Sequence, residues 1–140
     1  MLLVSEAENG NSIKLFGIKL PFNKKLKGHS DADVGLHALT DAILGAIGKG
    51  DIGEHFPPSD SKWKNKSSEI FLLYSKKLMD ENGYKINNID ITLICEKPKI
   101  SKYKNKFKKN ISTLLNIKSQ NVNVKATSTE KLGFLGREEG

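Results

Sequence analysis

Stretches with an apolar residue at every second position alternate, along 140 residues, with stretches of three- and four-residue apolar spacing. Period two sends side chains to opposite faces of a strand, whereas a period near 3.6 lays one apolar stripe along a helix. Residues 12–22 read as two short strands, Ile13-Lys14-Leu15 and Ile18-Lys19-Leu20, pivoting on Gly17, and a basic loop follows over 23–28. Ser30 is the expected N-cap of a first helix, with Asp31 and Asp33 in its first turn where the helix dipole favours carboxylates. That helix runs through Val34, Ala38, Ile43, Leu44 and Ile47 and stops near Gly48 or Gly50. A loop rich in Gly, Pro, Ser and Asp spans 50–63. A second helix, from Ser67 or Ser68 to about Gly83, is expected to bury Ile70, Leu73, Tyr74 and Leu78. Ile89, Ile91, Leu93 and Cys95 alternate as a half-buried strand; Pro98 stands where a helix could start. Tyr103, Phe107, Ile111 and Leu114 form that third helix's stripe, and residues 122–126 read as another strand. The expectation is a single α+β domain over 1–140, an α/β layer with a small mixed sheet and helices on one face.

Several classes fall away. No apolar run approaches the roughly 18–20 residues of a membrane helix, and the N-terminus lacks the basic region of a secretory signal. A single cysteine excludes a disulfide framework and any four-cysteine zinc module. The reading is a soluble, cytoplasmic protein with no membrane partner. Its net charge of +7 points to an anionic partner: nucleic acid, an anionic membrane or a phosphorylated small molecule. All but one of the 23 basic residues are lysine, however, and nucleic-acid readers favour arginine for guanine edges and phosphate forks. The lysine-rich stretch 97–109 carries Tyr103 and Phe107 in register with Ile111, which turns the rings to the core and the lysines to water. No nucleic-acid partner is therefore expected.

Four places could carry chemistry. Asp33, His37 and Asp41 fall at successive i, i+4 positions, so a helix presents them on one face. That arrangement suits a divalent metal, or equally a capping Asp and a surface His. His29 and Ser30 stand at a helix start, where free N–H groups either bind an anion or are simply capped. The loop at 50–60 admits close backbone approach to a ligand, and a plain connector would look similar. Finally, residues 126–137 gather three hydroxyls, Glu130 and the sole arginine, Arg137, behind a strand. They read as a diphosphate–metal site, or as a Ser/Thr-rich turn capped by Glu130.

Two of these stretches also match a known pattern. His29-Ser30-Asp31-Ala32-Asp33-Val34-Gly35-Leu36-His37-Ala38-Leu39-Thr40-Asp41-Ala42, followed by Gly50-Asp51-Ile52-Gly53, resembles the central motif of the 2-C-methyl-D-erythritol 2,4-cyclodiphosphate synthase family. Residues 122–134, together with Gly136-Arg137-Glu138-Glu139-Gly140, are similar to its second motif, and the likeness runs in order from Ser12 to Gly140.

The resemblance implies an enzyme of non-mevalonate isoprenoid biosynthesis, a phosphorus–oxygen lyase acting as a homotrimer with sites between neighbouring subunits. Its substrate would be 4-diphosphocytidyl-2-C-methyl-D-erythritol 2-phosphate, whose 2-phosphate attacks the β-phosphorus and expels CMP. By the same resemblance His37 is a Zn²⁺ ligand and Glu130 binds Mg²⁺ or Mn²⁺. His29 and Ser128 stabilise the transition state. Ser30, Asp51, Ile52, Gly53, Phe56, Pro57, Pro58, Ser59 and Asp60 line the methylerythritol end. Cys95, Glu96, Lys97, Pro98, Lys99, Ile100 and Ser101, with Thr127, Ser128 and Thr129, hold the cytidine and its phosphates. Phe134 and Arg137 lie on the same inner face.

The chain departs from the family at defined points. The family opens on a strand bearing Asp-x-His, which supplies two further zinc ligands, and no Asp-x-His precedes Ser12 here. An apolar closing strand is expected after Gly140. The domain is therefore read as lacking the family's first and last strands, a fragment of a synthase. A plastid origin or a fusion behind a cytidylyltransferase would fit the same residues. Ser128 stands where threonine is usual, and Pro57-Pro58 where Pro-Asp is common. Competing readings are a catalytically impaired interaction subunit of the same fold, a metal-dependent phosphohydrolase using His37 and Glu130, and a basic RNA-binding module.

Overall fold

Residues 7–26 fold back on themselves once, about Phe16 and Gly17. In the computed structural model, which describes residues 1–28 and 31–139, β1 (Ala7–Asn9) is an antiparallel partner of β4 (Lys24–Leu26). Between them β2 (Ser12–Leu15) and β3 (Ile18–Pro21) form the expected hairpin, with Leu15 opposite Ile18. Its turn residues Phe16 and Gly17 have φ of 49° and 78°. A two-residue turn of this kind needs positive φ at both positions, which glycine accepts and phenylalanine resists. Asp33 and Asn110 hold it there. Asp33 Oδ1 accepts from the Phe16 amide at 2.9 Å and Oδ2 from the Gly17 amide at 2.7 Å, while Asn110 Nδ2 donates to the Phe16 carbonyl at 2.7 Å.

Asp33 is also the N-cap of α1 (Val34–Ala46), its Oδ1 accepting from the Leu36 amide at 2.9 Å. The cap expected at Ser30 is thus found three residues later; the expectations for His29 and Ser30 themselves lie outside the described residues. Asp33 is 1% exposed, and burial pushes its carboxyl up to about 6. The amides of Gly17, Leu36 and Phe16 pull the other way, and the charge of Asp31 adds to the rise. Asp31 is not in the first turn either: it accepts from Lys14 Nζ at 2.8 Å and from the Ser68 hydroxyl. Lys14 and Ser68 thereby offset the cost of its partial burial and hold its carboxyl below the ordinary range.

The loop at 50–63 is not featureless. It contains α2 (Ile52–His55), capped by Asp51, and a 3-10 turn (Ser61–Trp63) capped by Asp60. The helix α3 (Ser68–Glu81) starts behind its cap Ser67, close to expectation, but its buried face is Phe71, Leu72, Ser75 and Met79. Ile70 and Leu73 are 42% and 45% exposed. Two buried serines, Ser68 and Ser75, rotate the inward stripe by about one residue from where the apolar count puts it; Ser75 satisfies its hydroxyl on the Leu72 carbonyl at 2.8 Å.

β5 (Ile89–Ile94) pairs in parallel with β6 (Val122–Thr127), Ile89 opposite Val122 and Ile94 opposite Thr127. Parallel neighbours need a crossover, supplied by α4 (Lys104–Leu115), which buries Phe107, Ile111, Ser112 and Leu115. Leu115 rather than Leu114 is fully inside. The helix start expected at Pro98 lies further on: Cys95 still bonds the Thr127 carbonyl and Ile100 is buried, so the chain must first return to the core. Instead of one mixed sheet, the described residues form three two-stranded ladders, two of them successive lengths of the one hairpin about Phe16 and Gly17. A short α5 (Gly133–Gly136) ends the fold.

The core joins the hairpin, α1, α3, α4 and the β5–β6 pair. Phe16 and Phe107 meet at 5.3 Å between ring centroids. Gly35 permits that approach: a Cβ there would lie 2.6 Å from Phe16 Cε1. An apolar cavity of about 430 Å³ lies between β5 and the Val34, Ala38 and Ala42 side of α1, bordered by residues 1–5.

Two outcomes follow for stability. Gly35→Ala, which in an open helix gains up to about 1 kcal/mol, is expected to cost roughly 1–3 kcal/mol here through overpacking against Phe16, read as a lower midpoint in urea denaturation. Asp33→Ala removes a cap and strands buried amides, a loss of about 3 kcal/mol. In the fold Asp33 takes up its proton near pH 6, against an ordinary value of 3.8, so protonation favours the folded state between those values. The stability gap between wild type and Asp33→Ala should therefore widen, by up to ~2–3 kcal/mol, as pH falls from about 6 to about 4. A gap that narrows over that range would mean the three amides outweigh burial.

Candidate functional site

Side-by-side parallel strands release their following loops at the same edge, the usual place for a ligand in such a layer. Here Ile94 and Thr127 end opposite each other, and the Cys95 amide donates to the Thr127 carbonyl at 3.1 Å. Residues 95–101 and 127–131, expected to serve one ligand, are thus brought together. Glu96 Oε1 accepts from the Thr129 amide (2.9 Å), the Thr129 hydroxyl (2.9 Å) and the Lys131 amide (3.2 Å). The Thr129 hydroxyl and the Lys131 amide hold the Glu96 carboxyl below the usual carboxylate range. Ser128 donates its hydroxyl to Glu130 Oε1 at 2.9 Å, and Glu130 is exposed. Hydroxyls, amides and a carboxylate are concentrated on one short turn.

The segment behind this turn is anchored by Glu138. Lys97 Nζ lies 3.1 Å from its carboxylate, and Lys24 Nζ donates to its carbonyl at 2.8 Å. Phe134 is 46% exposed. Arg137 directs its fork at Glu139, at 2.7 and 3.2 Å, so its guanidinium is engaged within the tail. Lys99 and Ser101 are exposed, whereas Ile100 is buried and belongs to the core. Burial raises the Cys95 thiol above its ordinary value, keeping it protonated.

A second group lies on the helix side. His37 Nε2 stands 3.8 Å from Asp41 Oδ2, and Asp41 Oδ1 accepts from the Ile52 amide at 2.8 Å. This bond ties α2 to α1. Asp33, expected on the same face, is turned into the core instead. Phe56 is buried among Trp63, Phe71 and Tyr74, with ring centroids 4.6 to 4.9 Å away. Asp51 and Asp60 spend an oxygen each on the caps of their own short helices, and Lys62 holds the Asp60 carboxyl low. Gly53, Pro58 and Ser59 are exposed, and Ile52 and Pro57 half-buried. Among the described residues no hydrogen bond, ion pair or ring contact joins this group to the 95–101 and 127–137 group.

A third feature borders the His29–Ser30 pair. Gly28, Asp31 and Ala32 line a cleft with Lys14, Lys19 and Lys25, of about 320 Å³. Two of its lysines are paired with carboxylates of the same cleft, Lys14 with Asp31 and Lys25 with Glu8.

The donor sets differ in what they can hold. Glu130 offers a hard, exposed carboxylate that fits Mg²⁺ or Mn²⁺ as one oxygen ligand beside phosphate oxygens and water. His37 offers a single imidazole nitrogen, and among the described residues no group of three His, Cys, Asp or Glu is arranged to hold a metal. Zinc, which takes at least three protein ligands, is not satisfied by these residues.

Sequence reasoning missed the side-chain contacts that shape the site. Tyr74 O–H lies 3.3 Å from His55 Nδ1, and His55 Nε2 lies 2.7 Å from the Lys49 carbonyl, so the loop at 50–60 is pinned from α3. A histidine directly before Phe56, with an aromatic-rich helix behind it, was the available signal.

Comparison with known proteins agrees with this layout. The family model described as "YgbB family" matches residues 4–140. The chain is 56% identical over 137 residues to the bifunctional enzyme IspD/IspF of Bartonella bacilliformis, covering 98% of this chain and 34% of that protein. It is 53% identical to the bifunctional enzyme of Wolbachia pipientis wMel, again covering 34% of it. The chain thus spans about a third of the length of these curated relatives. Among solved structures it is similar to the bifunctional IspDF of Campylobacter jejuni, with TM-score 0.86 and 42% identity over 97% of this chain and 37% of that one. It is also similar to a CDP complex of Plasmodium falciparum IspF, with TM-score 0.84 and 38% identity over 96% of this chain and 83% of that one. A family model matching nearly the whole chain, and likeness to IspF structures in both sequence and fold, show that the chain belongs to the YgbB (IspF) family.

Proposed function

We propose that this chain converts 4-diphosphocytidyl-2-C-methyl-D-erythritol 2-phosphate into 2-C-methyl-D-erythritol 2,4-cyclodiphosphate and CMP, a step of non-mevalonate isoprenoid precursor synthesis. The observation that carries the reading is the clamped turn at 127–131 beside residues 95–101. It offers the exposed Thr127 hydroxyl and the exposed Glu130 carboxylate, functions that a nucleoside diphosphate and its cation need. The solved CDP complex of a 38% identical relative supports a nucleotide as ligand.

The chemistry is an intramolecular phosphoryl transfer. An oxygen of the 2-phosphate forms a bond to the β-phosphorus, the bond from that phosphorus to the bridging oxygen breaks, and CMP leaves with that oxygen. Two anionic groups must approach, so the protein's task is positioning and charge stabilisation. Thr127, Ser128 and Thr129 line the phosphate end, with Thr129 fixing the turn through its bonds to Glu96 and Ser128 at the reacting phosphoryl group. Lys97 and Lys99 supply positive charge beside the nucleotide segment. Asp51, Ile52, Gly53, Pro57, Pro58, Ser59 and Asp60 bound the methylerythritol end, with Phe56 anchoring their loop from the core. His29 and Ser30 take the roles of transition-state stabilisation and substrate contact. A Mg²⁺ or Mn²⁺ ion held by Glu130 would neutralise charge between the α- and β-phosphates. His37 is proposed as one zinc ligand, and no step is routed through zinc, since its donor set here is incomplete.

The separation of the His37 group from the 95–101 and 127–137 group within one chain supports a homotrimer in which each site takes one group from each of two neighbours. No described helix is long and apolar enough to cross a membrane.

The purified protein, given the substrate and Mg²⁺, should release CMP and a cyclic diphosphate, followed by ³¹P NMR. Inorganic phosphate in place of CMP would favour a phosphohydrolase and overturn the reading. Glu130→Gln should lower kcat/KM by about 10²–10³-fold while leaving the Tm unchanged.

A further inference from the structure

We infer that Glu96 is a positioning residue that sets the direction of the Glu130 carboxylate by clamping the backbone on both sides of it. The inference rests on the reading of Glu130 as a metal ligand.

Glu130 and the following Lys131 both have left-handed backbones, with φ of 54° and 64°. Neither is glycine, and residues with a Cβ resist this region, so two in succession need something that over-determines them. The Ser128 hydroxyl donates to Glu130 Oε1 at 2.9 Å, but the local bonds that hold the backbone are few. The Leu132 amide reaches the Thr129 carbonyl at 3.0 Å, and the Glu130 amide lies a long 3.4 Å from the Ser128 hydroxyl. The remaining restraint comes from across the ladder. One oxygen of Glu96, 33 residues away, accepts from the amide and hydroxyl of Thr129 and from the amide of Lys131. These donors stand immediately before and after Glu130. Three bonds to one ionised oxygen are charge-assisted and strong, and together they fix the plane of the turn from which Glu130 projects. Glu96 itself sits on residues 95–101, the segment read as holding the nucleotide. The residue before it, Cys95, donates its amide to the Thr127 carbonyl. The clamp therefore lies between the nucleotide segment and the cation ligand, touching neither the reacting phosphorus nor the cation.

A role of this kind is separable from charge and from folding. Glu96→Gln keeps an oxygen that can accept the same three bonds but removes the charge, whereas Glu96→Ala removes both. Binding of Mn²⁺ in the presence of CDP, read by the EPR signal of free Mn²⁺, should weaken about tenfold or more in Glu96→Ala and recover largely in Glu96→Gln. Hydrogen exchange at the Thr129 and Lys131 amides should speed up in Glu96→Ala and stay slow in Glu96→Gln. In turnover kcat should fall more than KM rises, because the nucleotide segment is intact while the cation is misplaced. The Tm should hold, since the clamp is on the surface and outside the core. Glu130→Gln is the control. If it weakens Mn²⁺ binding and Glu96→Ala does not, the clamp is overturned and the metal reading stands. If Glu130→Gln leaves Mn²⁺ binding unchanged, the metal reading fails, and the positioning role fails with it. Equal losses in Glu96→Gln and Glu96→Ala would assign the effect to charge and also overturn the positioning role.

Discussion

A single buried carboxylate ties the first half of this fold together. Asp33 closes a hairpin turn that its own residues, Phe and Gly, would not hold unaided, and with one of the same two oxygens it begins α1. The turn puts Phe16 over Gly35 and against Phe107, so the hairpin, α1 and α4 share one contact. The direction of α1 follows, and with it the places of His37 and Asp41 on its outer side. Asp41 then reaches the Ile52 amide and fixes the start of the loop that continues to Asp60. Burying the Asp33 charge costs stability, and three amide donors offset it only in part, which is why its carboxyl rises to about 6.

The second half obeys a different constraint. A parallel pair must be joined by a crossover, and that crossover leaves the two loops that follow β5 and β6 at one edge. Residues 33 positions apart, Glu96 and Thr129, become hydrogen-bond partners through topology alone. The chemistry of the site gathers at that edge, while the His37 group is held by the other half. A charge of +7, carried almost wholly by lysine, agrees with the proposed diphosphate substrate.

Much of this was legible in the sequence, and the failures have physical causes. The hairpin about Gly17, the span of α1, the start of α3 and both strands of the parallel pair follow from periodicity and punctuation. The α1 cap was placed at Ser30 because Ser leads capping statistics; Asp33 won because its second oxygen also serves the hairpin, a long-range bond no local pattern contains. The buried face of α3 was misjudged since Ser68 and Ser75 are inside and Ile70 and Leu73 outside, an inversion that only neighbours can impose. β1 and α2 are three and four residues long, too short for a periodic signal. In the site, the turn at 127–131 was found from its residue types. The clamp by Glu96 was not, because its partners are mostly backbone amides, which leave no mark in the sequence.

The proposed account has each working site drawing on two chains, one giving the His37 side and the other the Glu130 side. Co-expression of a His37→Ala chain with a Glu130→Gln chain tests this most directly. Each variant alone should be close to inactive, and the co-assembled protein should regain CMP release, because a wild-type His37 group and a wild-type Glu130 group then meet at some interfaces. Co-assembled protein no more active than either variant alone, with mixed oligomers verified by mass spectrometry, would contradict it and place both groups in one chain's site.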